Sequence, residues 1–181
     1  MAPRRLLTPL AALLLAIAGA ASPARAQALN ATVMLPGFRG VVRLDTVGTA
    51  VAVNAPPGAV FTALRFALDS LGVEVAVRDS AAGLVGNLGL KHTRRFAGKQ
   101  MSTWVDCGIG HTGATANAYR IHMAILAGVA AASGGGSRVR VAVAAGAQAF
   151  SGPLGDPIAC ESTGAIENRI LELVRQRLGA P

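Results

Sequence analysis

Aromatic residues are scarce in this chain: one Trp, one Tyr and five Phe make up 4% of 181 residues. A platform on which bases or sugars stack needs several rings close together, so that kind of surface is excluded. Charge is sparse too, at 14%, whereas 52% of the residues are hydrophobic and the mean hydropathy is +0.47. A composition of this kind buries a core and does not stay disordered. Several chemical signatures are missing as well. No C-x-x-C or H-E-x-x-H spacing gathers metal ligands, and no G-x-S-x-G elbow presents a nucleophile. Gly108-Ile109-Gly110-His111-Thr112-Gly113 matches the dinucleotide fingerprint in letters. The acid that would hold the ribose about 20 positions on is absent, since no Asp or Glu lies between Asp106 and Asp156. Neither a metal nor a cofactor is expected.

What is present begins with an export signal. Arg4 and Arg5 precede the apolar stretch Leu6 to Ala21, which Thr8 and Pro9 interrupt near its start. The unbroken part, Leu10 to Ala21, is 12 residues, short of the roughly 20 that span a bilayer as a helix. Ala24-Arg25-Ala26 supplies the small-x-small pattern of a cleavage site. The reading is a signal peptide over residues 1–26, general secretory export, and a periplasmic or secreted protein with no transmembrane segment after cleavage. No cysteine lies near the site to carry a lipid. Removal of 26 of the 181 residues leaves 155, enough for one domain with a real core. Loss of Arg4, Arg5 and Arg25 lowers the formal charge by three, from +8 to +5. The remaining basic residues concentrate at Lys91, Arg94, Arg95 and Lys99, a candidate contact for anionic lipid heads or acidic polymers. Nucleic acid is not expected as a partner outside the cytoplasm.

Two cysteines, Cys107 and Cys160, remain in the exported chain, and in an oxidising compartment such a pair reads as a disulfide. Each adjoins an acid, Asp106 and Glu161, so a bridge brings two carboxylates together. Neighbouring carboxylates can share a proton. Asp106, Glu161 and His111 are therefore the candidate catalytic residues of a small hydrolase. The competing reading leaves both carboxylates in water or bonded to loop amides.

Residues 27–45, with Pro36, Gly37 and Gly40, read as a flexible arm ahead of one domain over 46–181. Alternation predicts strands at Thr46 to Val53, Val73 to Arg78 and Leu84 to Phe96. In the last, Leu84, Leu88, Leu90 and Phe96 share one face and Lys91, Thr93 and Arg95 the other. Tyr119 to Gly128 and Arg138 to Phe150 form a hairpin around the Gly-rich loop 133–137. Val60, Leu64, Leu68 and Leu71 stripe a helix that starts at the prolines 56 and 57, while Ile166, Ile170, Leu173 and Val174 stripe a second one after Gly164. The expected class is α+β: a single antiparallel sheet of about five strands in the order β-α-β-β-β-β-α, with both helices on one face and the other face open.

Two resemblances follow from these segments. Ala59-Val60-Phe61 through Leu68, then Leu71-Gly72-Val73, Asp79 and Gly83-Leu84-Val85-Gly86, resembles the helix-then-hairpin signature of small domains in BamC (NlpB)-like outer-membrane lipoproteins. That likeness covers about a quarter of the chain and implies a fold and an accessory role at the envelope. Asp106-Cys107-Gly108 followed by Cys160-Glu161-Ser162-Thr163-Gly164-Ala165-Ile166-Glu167 is similar to uncharacterised exported bacterial proteins with a CG … CxSTGx(L/I)E pattern. It covers most of the mature chain and implies no particular activity. The expected function is a non-enzymatic binding module for an envelope protein or cell-envelope component, contacting it through the open sheet face or the loop Gly108 to Gly113. The hydrolase is the alternative.

Overall fold

The computed structural model describes residues 31–150 and 156–179. The expected signal peptide, residues 1–26, lies outside the described residues.

Thr32–Met34 (β1) and Val41–Arg43 (β2) form a ribbon, followed by Thr49–Val53 (β3) and the helix Pro57–Ser70 (α1). Val77–Asp79 (β4) and Leu84–Thr93 (β5) come next. Five two-residue strands then follow: Arg95–Phe96 (β6), Lys99–Gln100 (β7), Val105–Asp106 (β8), Ile109–Gly110 (β9) and Gly113–Ala114 (β10). A single turn of helix, Thr115–Ala118 (α2), leads to the long strands Arg120–Ala131 (β11) and Ser137–Gln148 (β12). Ile158–Ser162 (β13) and the helix Ala165–Leu178 (α3) complete the order.

The protein is mixed α and β around a large antiparallel sheet, with nine of the described strands in it. β11 and β12 pair along their whole length, from Arg120 opposite Gln148 to Ala131 opposite Ser137. β5 flanks β11, while the far edge of β12 is shared between β3 at one end and β13 at the other. The sheet is larger than the expected five strands because its margins are built from short pieces. An alternation of period two cannot be recognised in two or three residues.

One face of the sheet carries Ile121, Met123, Ile125, Val139, Val141 and Val143, packed under Val60, Leu64 and Leu68 of α1 and Ile166, Ile170 and Val174 of α3. Each such side chain, fully buried, contributes roughly 1.5–3 kcal/mol. Pro57 starts α1, where its missing N–H costs nothing. At the head of α3 the Ser162 hydroxyl donates to the Glu167 carboxylate at 2.7 Å and accepts from the Gly164 amide at 3.1 Å.

The opposite face corrects two expectations. Ala124, Leu126, Ala142 and Ala144 are buried there under Val33, Leu35 and Leu44, so this face is not open. The described part of the expected flexible arm is a folded strap, with Leu44 fully buried and its amide bonded to the Ala31 carbonyl at 2.9 Å. Small residues on the sheet admit the strap closely. A Cβ on Gly146 would stand 2.0 Å from the Pro36 carbonyl oxygen, and one on Gly37 within 2.1 Å of the Ile158–Ala159 backbone. Gly37 also has φ +82°, a conformation open to glycine without strain.

β5 corrects a third. Met123 pairs with Leu90 but Ile125 pairs with Asn87, so the register shifts in between. This bulge reverses which residues face which core. Leu84 and Leu88 join the strap side, while Val85, Leu90 and Phe96 join the helix side. Asn87 holds the bulge: its amide donates to the Glu74 carbonyl at 2.7 Å and its oxygen accepts from the Gly89 amide at 2.8 Å. Of the strand expected at 73–78, only its end enters the ladder, and Val73 is buried in the helix-side core.

Candidate functional site

β8 reaches the sheet by pairing with β13, Asp106 opposite Glu161 and Val105 opposite Ser162. That places Cys107 beside Cys160, and the two form the expected disulfide with Cα atoms 4.3 Å apart. Past the bridge, Gly108 takes φ +79° and its amide donates to Asp106 Oδ1 at 2.8 Å, an Asx turn. The Thr115 amide donates to the Gly108 carbonyl at 3.0 Å, and β9 pairs with β10 through Gly110 opposite Gly113 and Ala114 opposite Ile109. The Gly-rich segment is thus a small hairpin fastened at its base. His111 and Thr112 form its exposed tip, and Ile109 is 89% exposed.

The fold brings Asp106 and Glu161 together as the bridge requires. Both carboxylates lie in water, and Asp106 is engaged by a loop amide. Proton sharing between carboxylates needs a site that withholds water, which this edge does not provide. A groove of about 510 Å³ lined by Pro57, Phe61, Ala81 and Val129 contains none of the three catalytic candidates. Among the described residues no three His, Cys, Asp or Glu side chains gather to hold a metal ion.

The basic candidates are all exposed and none makes an ion pair among the described residues. Arg94 and Arg95 sit where β5 turns into β6, Arg94 at φ +61°, and line a shallow groove of about 260 Å³ with Gln100 and Asn117. Lys99 lies over Trp104, 5.9 Å from the ring centroid, beside Arg169 and Glu172. Lys91 points to the strap face, opposite His122. The turn is firmly held: Trp104 is buried, its Nε1–H donates to the Phe96 carbonyl at 2.8 Å, and the His92 ring packs tilted against Phe96 with centroids 4.7 Å apart. Burial pushes both His92 and His122 below the usual histidine range. For His122 the charges of Lys91 and Arg120 push further the same way, with Gln148 opposing. Neither buried Nε2 has a hydrogen-bond partner.

No protein-family model and no curated protein matches this chain. No helix among the described residues is long and apolar enough to cross a membrane.

Sequence reasoning missed a second group of exposed residues. Met34 (83%), Val41 (60%) and Phe38 (37%) project from the strap, and Phe150 is half exposed with the Arg120 guanidinium 5.5 Å from its ring centroid. One signal was available. In Val33-Met34-Leu35 three successive residues are apolar, and a strand can turn only alternate ones to a single core.

Proposed function

We propose that the protein is an exported, non-enzymatic binding module of the cell envelope, and that the hairpin Gly108–Ala114 contacts a protein partner. The observation that carries this reading is Ile109, a large apolar side chain 89% exposed on a loop fixed by a disulfide, an Asx turn and a ladder. A rigid anchor of this kind loses little entropy when it enters a partner's pocket. The signal-like start and the disulfide both suit a compartment outside the cytoplasm. The resemblance of residues 59–86 to BamC-like accessory domains points the same way. A hydrolase would draw on Asp106 and Glu161, and their exposure favours binding instead.

A photo-crosslinker at Thr112 in the exported protein tests the reading. A discrete protein adduct is expected from envelope fractions, lost on Ile109→Ser and weakened by reduction of the bridge. An adduct that survives Ile109→Ser, or none at all, refutes it.

A further inference from the structure

The strap is buried on one side only. Val33 and Leu35 enter the second core, while Met34 and its cross-strand partner Val41 face water with Phe38 in the turn between them. The turn is located by close backbone approaches. The Pro36 carbonyl lies against Gly146, and Gly37 lies against Ile158 and Ala159. Gly146 is opposite His122, which in turn is opposite Lys91. Phe38 and Arg39 therefore stand at the end of the sheet where Lys91, Arg120 and Phe150 emerge. Arg94 and Arg95 continue the same strand end.

Among the described residues one acid lies at this end, Asp156, which begins the segment leading into β13, where Ile158 pairs with Ala147. Asp45, held by Arg43 at 2.7 Å, lies toward the other end of β12, where its carbonyl accepts from Arg140 at 2.8 Å. The balance at this end is positive, and its apolar side chains are of the size that enters a headgroup layer while neighbouring cations stay at phosphate level.

We propose that this end of the molecule docks on an anionic lipid bilayer, with Met34, Phe38 and Val41 entering the interface and Arg39, Lys91 and Arg120 meeting lipid phosphates. This surface uses none of the residues of the Gly108–Ala114 hairpin and does not depend on its role.

Flotation of the exported protein with vesicles tests the proposal. The protein rises with phosphatidylcholine vesicles that contain phosphatidylglycerol and stays behind with phosphatidylcholine alone. Met34→Ser with Val41→Ser lowers partitioning about tenfold. Lys91→Glu and Arg120→Glu each lower it roughly fivefold or more, and added salt weakens what remains. A tryptophan introduced by Phe38→Trp shifts its emission to the blue on the anionic vesicles only. Ile109→Ser floats like the parent, which separates this proposal from the hairpin's. Failure to float on anionic vesicles overturns the proposal, as does flotation indifferent to Met34→Ser and Val41→Ser. Loss of a protein crosslink in the strap variants, without flotation of the parent, assigns the surface to a protein partner instead.

Discussion

Asp106 and Glu161 face each other in antiparallel register, each one residue from a half of the Cys107–Cys160 bridge. Asp106 is partly offset by the Gly108 amide that it accepts from. Like charges directly opposite on a ladder oppose folding, on the scale of roughly 0.2–1 kcal/mol per pair. Glu161→Lys is therefore expected to raise the free energy of unfolding by up to about 1 kcal/mol, and Glu161→Gln by less. Urea denaturation at low salt measures both. A Glu161→Lys protein no more stable than the parent would show that water already screens the pair.

The bridge spans 53 residues of sequence and fastens a strand with only two ladder pairs to β13. Replacing both cysteines by serine is expected to cost about 2–4 kcal/mol, the usual range for a native disulfide. The loss is local at first, because β11 and β12 do not need the bridge to pair. Amide exchange should accelerate over 105–114 while the central strands stay protected. Uniform acceleration across the sheet would show that the bridge supports the whole domain.

Asn87 joins the bulge of β5 to the segment that follows α1, through bonds to the Glu74 carbonyl and the Gly89 amide. Asn87→Ala removes both bonds, and because Glu74 and Gly89 are exposed to water the cost is about 0.5–1.5 kcal/mol. Asn87→Asp keeps the acceptor for Gly89 and should fall between the two. Thermal unfolding of the three proteins gives the order directly.

The parts of the fold legible from sequence are those with long, unambiguous periods. The stripe Val60, Leu64, Leu68 specified α1, and Ile166, Ile170 and Val174 specified α3, because a helix repeats its face over many residues. β11 and β12 were recognisable as a hairpin from their length and from the glycines between them. The strap was not. Val33 and Leu35 alternate over too few residues to show a buried face, and the depth of Leu44 depends on small side chains more than 75 positions away at Ala124, Ala142 and Ala144. The bulge at Asn87 was invisible for a related reason, since it exists to meet a partner strand's register. At the candidate site, the cysteine pair announced that Asp106 and Glu161 would meet. Whether they would meet in water or in a cleft depends on what packs over them, and no local pattern encodes that. The exposure of Ile109 and Met34 is hidden for the same reason.

Two half-buried imidazoles give stability a pH dependence. In the unfolded chain His92 and His122 protonate near the usual 6.5, whereas burial, and for His122 also Lys91 and Arg120, hold them neutral to lower pH in the native protein. Below that pH the unfolded state binds more protons, so stability is full above about 6.5 and declines as pH falls from there toward the native values. The partial exposure of both rings keeps the effect modest. Urea midpoints between roughly pH 7.5 and 5 should slope downward with acidification. Replacing both histidines by glutamine should flatten the slope, and an unchanged slope would place its origin in other groups.

Gly146 sets the distance between strap and sheet. A Cβ there would stand 2.0 Å from the Pro36 carbonyl oxygen, and both partners are backbone, so neither can swing aside as a flexible side chain would. Gly146→Ala must therefore lift the turn at Pro36 or push β12 away from it. β12 is tied to β11 on one side and to β13 and β3 on the other, which makes the strap the part that yields. The expected cost is about 1–3 kcal/mol, the range for overpacking a tight contact. Because the strap covers its own cluster around Leu44, Ala124 and Leu126, amide exchange should rise over 31–47. Trp104 sits in the helix-side core, and its fluorescence should report an unchanged environment. If Trp104 loses its burial together with the strap, the two cores fold as one unit and the strap is an integral layer of the domain.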